Sequence, residues 1–205
     1  MTPTTLHPEW GKIIIFSAPS GAGKSTVINH LLQRGLPLQF SVSATSRAPR
    51  GEEQNGKEYY FLNKETFQQK IANGEFLEYE EVYPGCYYGT LREEVEQRLK
   101  AGSHVILDID VQGALRVKQI YANQALTIFI APPSIPTLEE RLRNRNTDSH
   151  EMIQTRIQKA TEEITYASRF DYVIVNDDLE EACEEAYNKI CSFLGLQPLN
   201  SGMCE

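Results

Sequence analysis

The chain has little that would tie it to a membrane, a metal framework or a polyanion. None of its 205 residues belong to an apolar run near the roughly 20 residues that a spanning helix needs. The four cysteines, Cys86, Cys183, Cys191 and Cys204, form no C-x-x-C pair. A zinc or disulfide framework is therefore not expected, and reduced thiols are. Basic residues are the minority: 20 Lys and Arg stand against 28 Asp and Glu, for a net charge of −8. Such a balance argues against a general nucleic-acid surface. Met1 to Pro8 is polar and lacks the apolar centre of a signal peptide. A soluble, cytoplasmic protein is expected, with no nucleic-acid and no membrane partner. There is no internal repeat or low-complexity segment, and neither the single Trp10 nor the cysteines point to a role.

What is present is a core and a phosphate loop. Hydrophobic residues make up 40% of the chain, with 10 Tyr and 8 Phe, which is ample for a packed interior. The length suits one core with inserted lobes. The apolar run Ile13-Ile14-Ile15-Phe16 leads into Ser17-Ala18-Pro19-Ser20-Gly21-Ala22-Gly23-Lys24-Ser25-Thr26 and then a helix-like stretch. Strand, Gly-rich turn and a helix opening on Gly-Lys-Ser form a phosphate-binding pattern. Backbone N–H groups at such a helix start face an anion, and the helix dipole favours negative charge there. Lys24 is expected to reach the outer phosphates of a nucleoside triphosphate, and the Ser25 hydroxyl to ligate magnesium. Ala18 stands where the pattern has its first glycine, which requires a negative φ there.

Four apolar runs predict buried strands: Ile13 to Phe16, His104 to Ile109, Leu126 to Ala131 and Tyr172 to Val175. Helices are expected from Ser25 to Arg34, stopped by Gly35, and around Phe67 and Ile71, stopped by Gly74. Thr90-Leu91-Arg92-Glu93 reads as a capping box opening a helix to Lys100, closed by Gly102. Leu138 and Leu142 share a helical face. Asp148-Ser149-His150-Glu151 reads as a second capping box, opening a helix striped by Ile153, Ile157, Ala160 and Ile164. Leu179, Cys183, Ala186, Ile190 and Phe193 stripe a last helix ending at Gly195, with fraying expected from Leu196 onward.

Between residues 39 and 90 the chain is tyrosine-rich and short of aliphatic runs. Short strands are expected at Phe40 to Ser43, Phe76 to Val82 and Tyr87-Tyr88, with Asn55-Gly56 as a hairpin turn before Glu58 to Phe61. The expected fold is α/β: a P-loop core with a parallel sheet covered by helices on both faces, plus an inserted β-rich lobe and a helical lid. Residues 1–38, 97–132 and 165–205 form the core in this reading, 39–96 the lobe and 133–164 the lid.

Three sets of residues carry chemistry. Val105-Ile106-Leu107-Asp108 is an apolar strand ending in a carboxylate, placed as an acid beside a P-loop magnesium, through water. Arg141, Arg143, Arg145 and Arg156 crowd a short stretch of an acidic chain. Arg141 and Arg145 share a helix face at i, i+4, and such a lid would put positive charge on a moving phosphoryl group. A solvated helix face is the alternative. Arg47 and Arg50 are placed to grip a second phosphate, with tyrosine hydroxyls beside them. By composition alone that segment reads equally as a polar turn.

Taken together, several ordered segments resemble the guanylate kinase family, from about Gly11 to Leu194. They are the phosphate loop, Ser43-Ala44-Thr45-Ser46-Arg47-Ala48-Pro49-Arg50, Asn55-Gly56-Lys57-Glu58-Tyr59 and Phe76-Leu77-Glu78-Tyr79. Tyr87-Tyr88-Gly89-Thr90, the run from Ile106 to Gly113 and Val173-Ile174-Val175-Asn176-Asp177-Asp178 complete them. The resemblance implies transfer of the γ-phosphoryl group of ATP to GMP, with dGMP as a second acceptor, and magnesium as cofactor. It implies that Ser20, Gly21, Ala22, Gly23, Lys24, Ser25 and Thr26 hold ATP, with Asn176 near the adenine. It implies that Arg47, Arg50, Tyr59 and Tyr88 hold the GMP phosphate. Glu78 would accept from the guanine N1–H and 2-amino group, which adenine lacks, with Ser43, Thr90 and Asp110 completing the pocket. Thr90 would double as a helix cap, and Asp110 would alternatively support the magnesium held by Ser25 and Asp108. Arg141, Arg145 and Arg156 match the lid arginines, Arg143 does not, and lid closure over the phosphates would exclude water. Self-association is left open. The rival readings are a kinase of a ribose bisphosphate and a non-catalytic module on the same fold.

Overall fold

A computed structural model describes residues 9–144 and 149–197. Nine strands and seven α-helices are found among them. In chain order they are β1 (Ile13–Ser17), α1 (Lys24–Gln33), β2 (Leu38–Phe40), β3 (Ala44–Thr45), β4 (Tyr60–Phe61), α2 (Lys64–Ala72), β5 (Phe76–Tyr83) and β6 (Cys86–Leu91). Then follow α3 (Arg92–Lys100), β7 (His104–Asp108), α4 (Val111–Tyr121), β8 (Ala125–Ala131), α5 (Ile135–Asn144), α6 (His150–Ile164), β9 (Tyr172–Val175) and α7 (Leu179–Leu194). Five strands run in the order β2-β7-β1-β8-β9 in one sheet, and four in the order β4-β3-β6-β5 in another. The pairs β2–β7 and β8–β9 are parallel, in register Leu38↔His104 and Ile128↔Tyr172. The expected parallel sheet flanked by helices is present, with a smaller β-rich sheet built from residues 44–91.

By contacts the chain divides into two compact units: residues 1–13 with 37–125, and 14–36 with 126–205. In the first unit, β7 buries Val105, Ile106 and Leu107, and the smaller sheet has its own core of Ala44, Phe67 and Phe76. The Phe67 and Phe76 rings stack at 4.3 Å. In the second unit, α5 and α6 close on Leu138, Leu142, Ile153 and Ala160, the stripe that helical spacing predicts. The α7 helix buries Ala182, Cys183, Ala186, Tyr187, Ile190 and Cys191, while Leu179 stays 43% exposed.

Glycine marks the helix ends as expected: Gly35, Gly74, Gly102 and Gly195 all take the left-handed conformation. Several local expectations are corrected. The strand placed at Phe40 to Ser43 lies earlier, at Leu38–Phe40. Asn55-Gly56 makes no hairpin, because β3 and β4 are parallel; the Asn55 side chain instead accepts the Phe61 N–H at 2.8 Å. Thr90 is no helix cap: it lies inside β6, and Leu91 opens α3 with no side-chain cap. Ser149 caps α6 through the Met152 N–H, one residue after the expected start, and Asp148 lies outside the described residues. The run Tyr172–Val175 is not a buried strand. As the last strand of its sheet β9 has one neighbour, and only Ile174 is buried, with Val175 53% exposed. Helix α4, which no apolar periodicity announced, starts where Asp110 accepts from the N–H groups of Gln112 and Gly113.

Met1 to Pro8, Cys204 and most of the stretch expected to fray lie outside the described residues. No helix among the described residues is long and apolar enough to cross a membrane. Cys86, Cys183 and Cys191 are free thiols, and burial pushes Cys183 up from its ordinary pKa.

Candidate functional site

The first cluster is the phosphate loop. Helix α1 starts at Lys24 after Gly23, which has φ +97° and makes no side-chain cap. Asn63, Asp110, Ser149 and Asp178, by contrast, cap their helices with side-chain oxygens. An uncapped start leaves backbone N–H groups and the positive dipole end open to an anion. Ser25 and Thr26 are exposed on that first turn, and Lys24 is half-buried. Ala18 meets its condition: among the described non-glycine residues only Ala122 has positive φ.

The loop has little slack. Ala22 is fully buried, and its carbonyl accepts from Asn176 Nδ2 at 2.7 Å. A β-carbon on Gly23 would lie 2.1 Å from that nitrogen, and one on Gly21 would meet Leu142 at 2.9 Å. Asn176 is itself buried, and its N–H donates to the Ala131 carbonyl at 2.8 Å. The Asn176 carbonyl accepts from Arg141 Nη1 at 2.9 Å. Arg156 reaches the loop and donates to the Ser20 hydroxyl. Arg143, the arginine outside the lid match, is exposed and pairs with Glu139 one turn away, at 2.6 Å. Arg145 lies outside the described residues.

The second cluster surrounds Glu78. This carboxylate is 4% exposed and accepts the Thr90 hydroxyl proton at 2.6 Å. Burial, with the nearby Asp110 charge, pushes its pKa up to about 7, opposed by the Thr90 hydrogen bond. A β-carbon on Gly113 would stand 2.9 Å from both Asp110 Oδ2 and Glu78 Oε2. The missing side chain at Gly113, unremarked by sequence reasoning, is what lets two carboxylates approach the same helix start.

The third cluster is aromatic and basic. The Tyr59 and Tyr88 rings meet edge-on at 5.7 Å, and the Arg47 guanidinium lies 5.0 Å from the Tyr59 ring centre. Arg47 Nε donates to the Tyr88 hydroxyl at 3.1 Å. Burial pushes Tyr59 up from its ordinary pKa, and the Tyr88 charge adds to that. Arg50 is exposed two residues beyond Ala48, and the Ser43 carbonyl accepts the Tyr60 N–H at 2.9 Å. The fork of Arg47 is engaged by Glu53, a residue absent from the expected site. Its only trace in the sequence was a carboxylate in the turn after Arg50. Asp108 ends β7, half-buried. No group of three or more His, Cys, Asp or Glu that could hold a metal occurs among the described residues.

The sequence matches the family model "Guanylate kinase" over residues 10–192. It is 55% identical over 194 residues to a guanylate kinase of Bacteroides fragilis, covering 94% of this chain and 95% of that one. It is 57% identical over 184 residues to one of Porphyromonas gingivalis, covering 89% and 98%. The fold is similar to the crystal structure of guanylate kinase from Anaplasma phagocytophilum, with TM-score 0.70, 36% identity, and coverage of 90% of this chain and 86% of that one. A match across nearly the whole length, with the phosphate loop and the buried Glu78 cluster both in place, means that the chain belongs to the guanylate kinase family.

Proposed function

We propose that this chain transfers the γ-phosphoryl group of ATP to GMP, giving ADP and GDP, and accepts dGMP by the same route. The observation that carries the reading is Glu78: a carboxylate 4% exposed, bonded to Thr90 and crowded by Asp110 at Gly113. Buried acceptors of this kind favour a ligand with clustered N–H donors, as guanine has and adenine lacks. In this reading Arg47, Arg50, Tyr59 and Tyr88 hold the acceptor's phosphate, and Ser43, Thr90 and Asp110 help to hold its base. ATP sits on residues 20–26, with its adenine toward Asn176. The observed bonds of Asn176 also give it a second task, that of holding the loop.

Transfer needs the acceptor oxygen in line with the γ-phosphorus, and charge neutralised as the phosphoryl group moves. Lys24 and the arginines 141, 145 and 156 supply that charge. The acceptor phosphate is already an anionic nucleophile, so no strong general base is required. The residues available for magnesium are the Ser25 hydroxyl and, through water, the Asp108 carboxylate. The Ser25 hydroxyl, a hard oxygen donor exposed on the first turn of α1, fits an ion that keeps most of its shell as water and substrate phosphate. Bound there, magnesium supplies charge neutralisation at the phosphate oxygens. The proposed division of labour is a core of 1–38, 97–132 and 165–205, an acceptor lobe of 39–96 and a lid of 133–164, in a cytoplasmic protein.

ADP formation from Mg-ATP, measured with GMP, AMP, CMP, UMP or no acceptor, tests the reading. Turnover confined to GMP is expected. Turnover with AMP at a comparable rate, or none with any nucleotide, would overturn it.

A further inference from the structure

Glu53 belongs to none of the motifs that point to a phosphate site, yet its carboxylate makes the shortest bonds of Arg47. Oε2 accepts from Nη1 at 2.6 Å and Oε1 from Nη2 at 2.8 Å, the two bonds of a fork. Oε2 also accepts the Arg50 backbone N–H at 2.8 Å, and the Glu53 N–H returns to the Arg50 carbonyl at 3.1 Å. The carboxylate is therefore fixed by its own turn before it meets the guanidinium. The Arg47 fork, with a backbone bond from Arg50, holds Glu53 down at a pKa of about 2, so it is ionised throughout the neutral range.

Arg47 is held on its other sides as well. Nη1 donates to the Ala48 carbonyl at 3.0 Å and Nε to the Tyr88 hydroxyl at 3.1 Å. Of the five guanidinium N–H groups, Nε uses one, Nη1 two and Nη2 one, which leaves one on Nη2. The Tyr88 oxygen accepts in this arrangement, so its own proton is left to donate.

We infer that Glu53 is a positioning residue for the acceptor's phosphate, an inference that rests on the acceptor site proposed above. It acts through Arg47. By holding the guanidinium at one angle, it selects the last Nη2–H and the Tyr88 O–H as the donors offered to a phosphate monoester. Orientation is thus set before binding, which lowers the ordering needed when the ligand arrives. Charge alone predicts the opposite sign. A carboxylate near a phosphate dianion repels it, so removing a merely electrostatic Glu53 would tighten the acceptor.

The test is steady-state kinetics of the full chain with E53Q, R47A and the double variant, varying GMP and ATP in turn. Glutamine keeps the size of Glu53 on a partly exposed turn but cannot accept both Arg47 bonds. The expected result is a KM for GMP about tenfold higher in E53Q, with KM for ATP unchanged and kcat within about twofold. On the R47A background E53Q is expected to add no further rise, because its route runs through Arg47. An unchanged or lower KM for GMP in E53Q, or a full additional rise on R47A, would overturn the inference. R47A alone leaving KM for GMP unchanged would overturn the acceptor-site reading beneath it.

Discussion

Asn176 Nδ2 donates to the Ala22 carbonyl at 2.7 Å, across 154 residues of sequence. The same nitrogen occupies the space where a β-carbon on Gly23 would stand. Gly23 therefore answers to two constraints, a φ of +97° and a neighbour that cannot retreat without releasing the loop. Gly23→Ala is expected to abolish the rise in Tm that ATP produces. Gly102→Ala is the control: its φ is +78°, but nothing lies within 4 Å. It should cost about 1 kcal/mol and leave ATP binding alone. Equal losses of ATP response in both variants would mean that the close approach is irrelevant.

Lys24→Ala should separate binding from chemistry. The residue stands at the first position of α1, in the second unit, whereas the residues proposed to hold GMP lie in the first. A loss of roughly 10³-fold in kcat is expected, with the GMP-induced Tm shift retained. Near-normal turnover would mean that Lys24 is not where the transferred charge is neutralised.

Glu78 sets a pH dependence of known sign. Its carboxyl titrates near 7 in the folded chain, above the ordinary 4.5. The native state thus binds this proton more tightly than the unfolded chain does. The stability it contributes is complete below about pH 4.5 and lost as pH rises through 7, up to about 3 kcal/mol. Glu78→Gln should accordingly gain in Tm over the parent as the buffer moves from pH 5 to pH 8.

If Glu78 holds the guanine as proposed, the same titration bears on GMP, since guanine donors need the ionised carboxylate. KM for GMP should rise about tenfold from pH 8 to pH 6, beyond the smaller effect of phosphate protonation near pH 6. In Glu78→Gln this excess should vanish, together with the preference for GMP over AMP. A variant with the parent's pH profile would remove Glu78 from the base pocket.

Phe67 holds the smaller sheet together. It is fully buried, stacks on Phe76 at 4.3 Å and meets Tyr87 at 5.5 Å. Phe67→Ala should cost 3–5 kcal/mol, in the range for truncating a buried aromatic. Hydrogen exchange should show the loss first in residues 44–91; uniform exchange across the chain would argue against a separately stabilised lobe.

The phosphate loop was legible because its geometry is local. The strand, the Gly-rich turn and the helix opening on Gly-Lys-Ser are neighbours in the chain, and the negative φ required at Ala18 is found. The helix stops were legible too, since glycine alone takes positive φ without penalty. Thr90 misled for the same reason. Its spacing to Glu93 suits a capping box, but it is held in β6 by the strand ladder with β5, where its hydroxyl donates to Glu78. The Tyr172–Val175 run misled because apolar content speaks of strand but not of rank in the sheet, and β9 stands last.

By itself, then, the sequence determined the classes of element, the phosphate loop and the family. These rest on neighbouring residues and on ordered motifs. Only the tertiary structure decided which polar groups meet, Asn176 with Ala22, Thr90 with Glu78 and Glu53 with Arg47, and that Glu78 and Asp110 both flank Gly113. Hydrogen bonds and buried charges depend on register and on the space left by absent side chains, and neither is written in the spacing of residues along the chain.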